Sequence, residues 1–365
     1  MRVLSIQSHV VSGYVGNKAA VFPMQLLGFE VDFINSVQFS NHTGYPTVQG
    51  PILEGNELDA ISNGLFDNDL MGYDYFLTGY IGSESFLNSI LKVWDRIRQV
   101  NPKAIFLCDP VLGDDGNYYV HASLKDIYKL RVLPAAFVIT PNQFEAEELT
   151  GLKIVTEADA CNAMARLHSL GPRIVAITSS ELQEKEKGAL HCLISYPIEM
   201  QSDGNGLPDE ETSAACYTVF QVETQLVEGH YTGTVIYIRE VTSTKPMDLN
   251  DKNNNSNSNS LVGTGDMTAA LLLAWLHHLV FAQPPPPPPP LNSTSTSVMQ
   301  GMEGLSPIEQ AMINVLSTVN SVRVNVVVPF KHSLYALYES IDTHYMHSLY
   351  TYHLSLHTFY CMRCR

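Results

Sequence analysis

Apolar and polar positions follow two different periods along the first two thirds of the chain. Short apolar, β-branched runs predict strands, and between them apolar residues recur at the three- and four-residue spacing of a helix. Strands are predicted over residues 2–6, 30–37, 73–77, 104–108, 136–140 and 173–178. Helices are predicted over residues 17–27, 142–149 and 156–170, and after Ser83, a candidate N-cap. This alternation predicts an α/β fold with a central, mostly parallel sheet and helices on both faces.

The pattern changes after residue 188. From there to about residue 240 the helical period is absent and strand-like runs remain, such as 217–223 and 234–239. We therefore expect a small β excursion at the edge of the sheet. Residues 267–282 are apolar again, but they are few for a membrane span and include His277 and His278. They predict a buried helix.

Three segments differ in composition from the rest. Residues 250–260 are almost all Asn and Ser, and residues 284–290 are seven consecutive prolines. Neither segment can bury apolar surface, so we predict one folded domain over residues 1–322 with disordered insertions at 250–260 and 283–300. Residues 323–365 are rich in Tyr, His, Ser and Leu without a clear period, which predicts an atypical, poorly ordered C-terminal tail.

The charge balance excludes two classes of partner. The chain has 21 Lys and Arg against 37 Asp and Glu, a formal net charge of −16. Such a surface repels nucleic acid and anionic membranes, and we predict neither as a partner. The six cysteines are scattered and the N-terminus has no signal peptide, which favours a reducing, cytoplasmic location. An anionic nucleotide would have to be held by backbone amides, a metal ion or a few cations.

The turn before the apolar helix carries the strongest chemical signal. It consists of Gly263, Thr264, Gly265 and Asp266. Unpaired N–H groups and the helix dipole make such a turn an anion site. An aspartate repels phosphate, but it can take the proton of a hydroxyl group that attacks one. The turn predicts phosphoryl transfer to an alcohol with Asp266 as the base, and a capped buried helix is the alternative interpretation.

Polar residues follow the predicted strands repeatedly. In an open parallel sheet ligands bind at the carboxyl ends of the strands, so these residues predict a single site. In strand order they are Ser8 and His9; Asn41, His42, Thr43 and Gly44; Tyr80; Asp109 and Asp114; Thr140 and Asn142; and Thr178 and Ser179. Each alone is also explained as a turn residue or a helix cap. A P-loop, a complete dinucleotide fingerprint and a G-x-S-x-G elbow are all missing from the sequence.

Seven segments resemble, in the same order, those of pyridoxal kinases, which belong to the ribokinase-like superfamily. They span roughly the first 275 residues. The segments are SIQSHV at 5–10 with GYVGN at 13–17, NSVQFSNHTGY at 35–45, LTGY at 77–80, CDPVLGD at 108–114, TPNQFEAE at 140–147, ITSS at 177–180 and VGTGD at 262–266. The first two are specific to pyridoxal kinases, whereas the glycine–aspartate turn is shared by the superfamily.

The resemblance implies a ribokinase-like three-layer fold and an activity. The expected reaction is ATP-dependent phosphorylation of the 5′-hydroxymethyl group of pyridoxal, pyridoxine and pyridoxamine. ATP is then the co-substrate, with Mg²⁺ (or another divalent cation) and a monovalent cation, K⁺ or Na⁺, as cofactors. The resemblance also implies a homodimer, and it makes residues 113–120 a mobile flap over the site.

The resemblance also implies a role for each matching residue. The substrate would be bound by Ser8, Val37, Thr43 and Tyr80. ATP would be bound by Asn142, Glu145, Thr178, Ser179, Thr264 and Gly265. The cations would be held by Asp109, Asp114, Thr140, Glu145 and Thr178. Gly263, Thr264 and Gly265 would hold the transferring phosphate, and Asp266 would contact the substrate hydroxyl group as the base.

Two other functions are compatible with the sequence. The first is a kinase of the same superfamily that acts on hydroxymethylpyrimidine, a substrate of similar size. The segment at 41–45 together with Ser8 favours pyridoxal over it. The second is a vitamin B6-binding isoform that the insertions and the C-terminal tail make catalytically impaired. The intact motif residues argue against this second function.

Overall fold

A nine-stranded sheet separates two helical layers. The structure is a computed structural model that describes residues 1–182, 190–197, 215–227, 230–242, 264–278, 308 and 311–315. The strands of the main sheet are β1 Arg2–Val10, β2 Glu30–Phe39, β3 Tyr75–Thr78, β4 Ile105–Cys108, β7 Val138–Ile139, β8 Ile174–Ser180, β9 Leu190–Pro197, β10 Ala215–Val227 and β11 His230–Thr242. A separate two-stranded hairpin pairs β5 Gly113–Asp114 with β6 Asn117–Tyr118.

The strand order places the parallel strands together. It runs β2-β1-β3-β4-β7-β8-β9-β10-β11, and the first six strands are mutually parallel. The remaining three continue the sheet as an antiparallel extension beyond β8. The predicted mostly parallel sheet and the β excursion at its edge are both confirmed.

Helices lie on both faces of the sheet. They are α1 Asn17–Leu26, α2 Gly55–Asp67, α3 Glu84–Val100, α4 Leu124–Ile127, α5 Gln143–Thr150, α6 Glu157–His168 and α7 Thr264–Leu276. A π-helical turn, Tyr128–Val132, extends α4. One core joins α2–α6 to the face of the sheet that carries Leu4 and Phe76, and a second joins α1 and α7 to the face that carries Val3 and Leu77. This is the expected three-layer α/β fold.

Two helices show how the local sequence builds these layers. The side chain of Ser83 caps α3 by accepting the Phe86 N–H at 3.3 Å, as its position predicts. The stripe Phe86, Ile90, Trp94 and Ile97 then packs on the sheet, and each such side chain contributes about 1.5–3 kcal/mol on burial. Helix α7 is almost entirely apolar and buried from Met267 to Leu276, which confirms the predicted buried helix. Within the described ranges, no helix is both long and apolar enough to cross a membrane.

The structure differs from the predictions at three points. Strand β1 continues to Val10, so Ser8 lies inside it and not after it, because backbone pairing continues as far as Val10 and Phe39. Thr178 likewise lies inside β8. Helix α2 has no counterpart among the predicted elements. The segments at 250–260, 283–300 and 323–365 lie outside the described residues.

The proposed insertions can be tested by deletion. We expect that removing residues 250–260 or 284–290 changes Tm by less than about 2 °C, because neither segment has apolar surface to bury. Leu271→Ala on α7 is the positive control and is expected to destabilise the fold by about 2–5 kcal/mol. A deletion that lowers Tm as much as this control does would contradict the domain boundaries proposed here.

Candidate active site

The carboxyl ends of the parallel strands bring most of the predicted site residues to one edge of the sheet. Ser8 is near the end of β1, Asp109 directly follows β4, Thr140 directly follows β7 and Thr178 is near the end of β8. Asp266 lies in the first turn of α7, on the same side as α1. The site therefore lies at the carboxyl-terminal edge of the sheet, next to the apolar cores on the two faces of the sheet.

Gly16 lies where the end of β1 approaches the start of α7. It precedes α1 with φ 54° and ψ −133°, a conformation that is open to glycine and strained for other residues. A Cβ atom on Gly16 would lie 2.0 Å from the carbonyl oxygen of Ser8 and 2.4 Å from its Oγ. The Gly16 N–H lies near the carboxylate of Asp266 and favours its ionised form. Gly16 thus joins the candidate substrate residue Ser8 to the candidate base.

The protonation of Asp266 suits a general base. Burial raises the pKa of its carboxyl group to about 6, and the Gly16 N–H opposes that rise by stabilising the ionised form. The group is mostly ionised at neutral pH and close enough to neutrality to accept a proton readily. It is only half-buried, so a substrate hydroxyl group can reach it.

Two buried carboxylates, Asp109 and Glu145, lie beside this base. They are 5% and 3% exposed. Thr140 Oγ1 donates to Asp109 Oδ1 at 3.2 Å, and a Cβ atom on Gly265 would lie 4.0 Å from Asp109 Oδ2. Burial raises the pKa of Asp109 well above its usual range, and repulsion by the carboxylates of Glu145 and Asp266 adds to the rise. The three acidic groups are therefore near enough to repel one another.

Glu145 belongs to the N-terminal capping box of α5. Its carboxylate accepts the N–H groups of Asn142 at 2.8 Å and Leu112 at 3.0 Å, while the Asn142 side chain accepts the Glu145 N–H at 2.8 Å. Burial raises the pKa of Glu145, and these N–H donors oppose the rise. Among the described residues, no Lys or Arg forms an ion pair with Glu145, Asp109 or Asp266.

The acidic cluster fits a hard cation. Mg²⁺ is usually held by one or two carboxylates together with water and substrate phosphate oxygens, and Asp109, Glu145 and Thr140 supply oxygen ligands of this kind. Within the described part of the chain, no three His, Cys, Asp or Glu side chains converge into a complete metal cage.

The β5–β6 hairpin lies in the segment, residues 113–120, that is predicted to be a flap. Side chains at the start of α5 and along it contact this hairpin. Asn142 Nδ2 donates to the Gly113 carbonyl oxygen at 2.8 Å. Tyr118 donates its hydroxyl proton to Glu148, and its ring meets Phe144 edge-on at 5.2 Å. Asp114 is half-buried in the hairpin, and burial raises the pKa of its carboxyl group.

The remaining predicted residues vary in their exposure. Val37 is buried and bridges to Ile52, whereas Tyr80 is half-buried. Thr43 is exposed in a turn beyond β2. The Thr178 N–H donates to the Pro141 carbonyl oxygen at 2.9 Å, and Thr178 and Ser179 are both half-buried.

The predicted phosphate-binding turn is described only in part. Gly263 lies outside the described residues, Thr264 is the first residue of α7, and Gly265 is exposed beside Asp109. The Asn142 side chain makes two contacts: it caps α5, and it donates a hydrogen bond to the hairpin.

Sequence reasoning assigned no role to Gly16 or Asn17. Their segment, residues 13–17, was used only for its resemblance to pyridoxal kinases. Two glycines three residues apart before a helix are nevertheless a signal for close backbone approach. Asn17 is 1% exposed and bonds to both β1 and β2. Gly16 lies near the candidate base, and Asn17 directly follows it.

The layered fold and the α7 turn beside a buried acidic cluster define a kinase of the ribokinase-like α/β class. A family model described as phosphomethylpyrimidine kinase matches residues 68–218. Pyridoxal kinase of Arabidopsis thaliana is 56% identical over 196 residues, which are 51% of this chain and 63% of that protein. Human pyridoxal kinase is 42% identical over 280 residues, which are 76% of this chain and 77% of the human one.

Solved structures agree with this relationship. The structure of pyridoxal kinase from Leishmania donovani in complex with ADP and pyridoxamine superposes with a TM-score of 0.66 and 28% identity, covering 92% of this chain and 95% of that one. The chain belongs to the pyridoxal kinase family.

Proposed function

We propose that the protein transfers the γ-phosphate of ATP to the 5′-hydroxymethyl group of pyridoxal, and also of pyridoxine and pyridoxamine. The observation that carries this proposal is the position of Gly16, which packs against Ser8 and whose N–H lies near the half-buried carboxylate of Asp266 at the edge of the sheet. The family relationship supports it, because the Leishmania relative was solved with ADP and pyridoxamine.

The substrate would lie between β1 and the segments that follow β2 and β3. In this proposal Ser8 and Thr43 hydrogen-bond the pyridine ring and its substituents, and Val37 and Tyr80 pack near the ring. The buried Val37 and the half-buried Tyr80 offer apolar surface at the same strand ends as Ser8. This arrangement would direct the hydroxymethyl group towards Asp266.

The transfer itself would use the start of α7. Asp266 accepts the hydroxyl proton as the oxygen forms its bond to the γ-phosphorus atom, and the bond from that phosphorus to the leaving ADP oxygen breaks. The amides of Gly263, Thr264 and Gly265 hold the transferring phosphate, because the N-terminus of a helix favours an anion. Catalysis of this kind depends mainly on positioning and on charge stabilisation.

Nucleotide and cations would occupy the acidic half of the site. Asn142, Glu145, Thr178 and Ser179 contact ATP in this proposal, together with Thr264 and Gly265 of the turn. Asp109, Asp114, Thr140, Glu145 and Thr178 hold Mg²⁺ (or another divalent cation) and a monovalent cation, K⁺ or Na⁺. A bound divalent cation neutralises phosphate charge. The buried carboxylates that no described Lys or Arg pairs with support this placement.

We further propose a cytoplasmic homodimer. Exposed apolar side chains on the β1–α1 loop, on α1 and on the edge strand β2 support self-association; they are Val11, Tyr14, Phe22 and Phe33. The free thiols of Cys108, Cys161 and Cys192 support a reducing compartment.

The decisive experiment is phosphate transfer from ATP to pyridoxal by the full-length chain with Mg²⁺ and K⁺. Formation of pyridoxal 5′-phosphate is followed by its absorbance, and we expect turnover that requires all components. A chain that binds pyridoxal without turnover would contradict the kinase assignment and favour the impaired B6-binding isoform. The same assay on a chain ending at residue 322 then tests whether the C-terminal tail inhibits it.

A second substrate has a specific observation in its favour, because the matching family model is that of phosphomethylpyrimidine kinase. A competition assay with hydroxymethylpyrimidine and pyridoxal separates the two substrates. We expect pyridoxal to be the preferred acceptor, since the segments at 5–17 and 35–45 resemble those of pyridoxal kinases.

A further inference from the structure

A buried polar network lies beneath the junction of Ser8, Gly16 and Asp266. Its members are Ser5, Gln7 and Asn17, which are fully or almost fully buried. Gln7 Nε2 donates to Ser5 Oγ at 2.9 Å, and Ser5 Oγ donates to Asn17 Oδ1 at 2.8 Å. Gln7 Oε1 has no hydrogen-bond partner among the described residues, whereas Ser5 and Asn17 link β1 to α1 through their side chains.

Asn17 is the central member of this network. Its Nδ2 donates to the Ile34 carbonyl oxygen at 2.9 Å, to Asn35 Oδ1 at 2.9 Å and, more weakly, to the Gln7 carbonyl oxygen at 3.4 Å. The side chain therefore ties α1 to β1 and β2 at once. Asn35 extends the network by donating to Gln38 Oε1 at 3.1 Å, towards the segment that follows β2.

The position of Asn17 gives this network a consequence for the reaction. Asn17 is the first residue of α1. It directly follows the N-cap residue Gly16, which has no side chain to cap the helix. Gly16 packs against the Ser8 backbone, and its N–H lies near the Asp266 carboxylate and favours its ionised form. Helices α1 and α7, which begin at this point, share one apolar core. The orientation of Asp266 therefore depends on where Gly16 is held.

We propose that Asn17 is a positioning residue for phosphoryl transfer: its side chain fixes Gly16, and through Gly16 it fixes Asp266. The inference rests on the proposed function, in which Asp266 is the base. Asn17 does not itself contact the reacting groups. A shift of about 1 Å at a reacting centre can lower the rate on the order of 100-fold. We therefore expect loss of the Asn17 hydrogen bonds to lower kcat strongly.

The test is steady-state kinetics of Asn17→Ala in the full chain. We expect kcat to fall by about 10- to 100-fold, while KM for ATP stays within about twofold, because the nucleotide side of the site is built by other elements. Asn101→Ala is the matched control. The Asn101 amide donates to the Tyr73 carbonyl oxygen at 3.0 Å and accepts the Lys103 N–H at 3.1 Å, at the opposite edge of the sheet. We expect it to lower Tm while kcat is retained.

A double-mutant cycle separates positioning from general stability. In an Asp266→Asn background, Asn17→Ala is expected to lower kcat by less than about twofold, because no base is left to misplace. Equal losses in both backgrounds would overturn the inference. If Asn17→Ala does not fold, Asn35→Ala removes one of the bonds of Asn17 and the bond to Gln38 but leaves the Asn17 side chain in place, and it is expected to lower kcat in the same direction by about 2- to 10-fold.

Failure of the inference and failure of the proposed function give different results. A wild-type chain whose turnover does not depend on Asp266 would contradict both. An active wild-type chain that loses activity with Asp266→Asn, but keeps its kcat with Asn17→Ala, would contradict the inference alone.

Discussion

Replacing Asp266 by asparagine is expected to lower kcat by roughly 10²–10⁴-fold, as for the loss of a positioned general base. The amide keeps the size of the side chain and can still meet Gly16, so we expect the fold and the affinity for ATP to change little. Turnover at saturating pyridoxal and ATP is the measurement, with Tm as the check on folding. A variant that turns over at nearly the wild-type rate would remove Asp266 from the mechanism.

The pH dependence provides an independent check on the same residue. Burial raises the pKa of Asp266 to about 6, so the carboxylate loses its capacity to accept a proton as the pH falls through that value. We expect an acid limb in kcat/KM for the wild-type chain near pH 6, and we expect it to be absent from the residual activity of Asp266→Asn. An acid limb that persists unchanged in the variant would belong to another group.

Replacing Gly16 by alanine is expected to damage both stability and activity. The added Cβ atom would lie 2.0 Å from the Ser8 carbonyl oxygen, a backbone atom that cannot move away without displacing β1. The φ of 54° adds a conformational cost of about 1–3 kcal/mol. We expect Tm to fall by on the order of 5–10 °C and kcat to fall by about 100-fold or more, since Ser8 and Asp266 both contact this residue.

Two other glycines serve as matched controls for Gly16→Ala. Gly116 has a φ of 77° with open space around it, so Gly116→Ala isolates the cost of the backbone conformation, about 1 kcal/mol. Gly64 lies within α2 and also has open space, and Gly64→Ala is expected to stabilise the fold by about 0.5–1 kcal/mol. A Gly16→Ala variant that behaves like either control would show that the close contact with Ser8 is not important.

The fold was predictable where one strong periodic pattern sufficed. Helix α3 combines an N-cap with a continuous apolar stripe, and both were recognisable from the sequence. Helix α2 was not, because Leu58 is its one fully buried large apolar side chain and its first turn packs through Gly55. A Cβ atom on Gly55 would lie 2.5 Å from the Ser85 carbonyl oxygen, so close backbone approach replaces large apolar side chains there. A period of hydrophobic positions does not reveal contacts of this kind.

The sequence predicted where the site residues lie, at the ends of the strands, but not which contacts they make with one another. Asp109, Thr140 and Asp266 each follow an element boundary that the sequence marks, and the parallel sheet brings them to one edge. The role of Gly16 depends on a backbone conformation and on a neighbour eight residues earlier in the chain. The network of Asn17 depends on the register of β1 and β2. Neither can be read from residue type and spacing.

The capping box of α5 has a consequence for the motion of the flap. Asn142 and Glu145 close the first turn of the helix, and the same two side chains hold Gly113 and Leu112 at the base of the hairpin. Local opening in proteins occurs in cooperative units. If the hairpin is a mobile flap, as its resemblance implies, we expect fraying of α5 and release of the hairpin to occur as one such unit, with the stability of the helix end setting the timing of ligand exchange. A substitution that strengthened this helix end would slow exchange as it stabilised the protein.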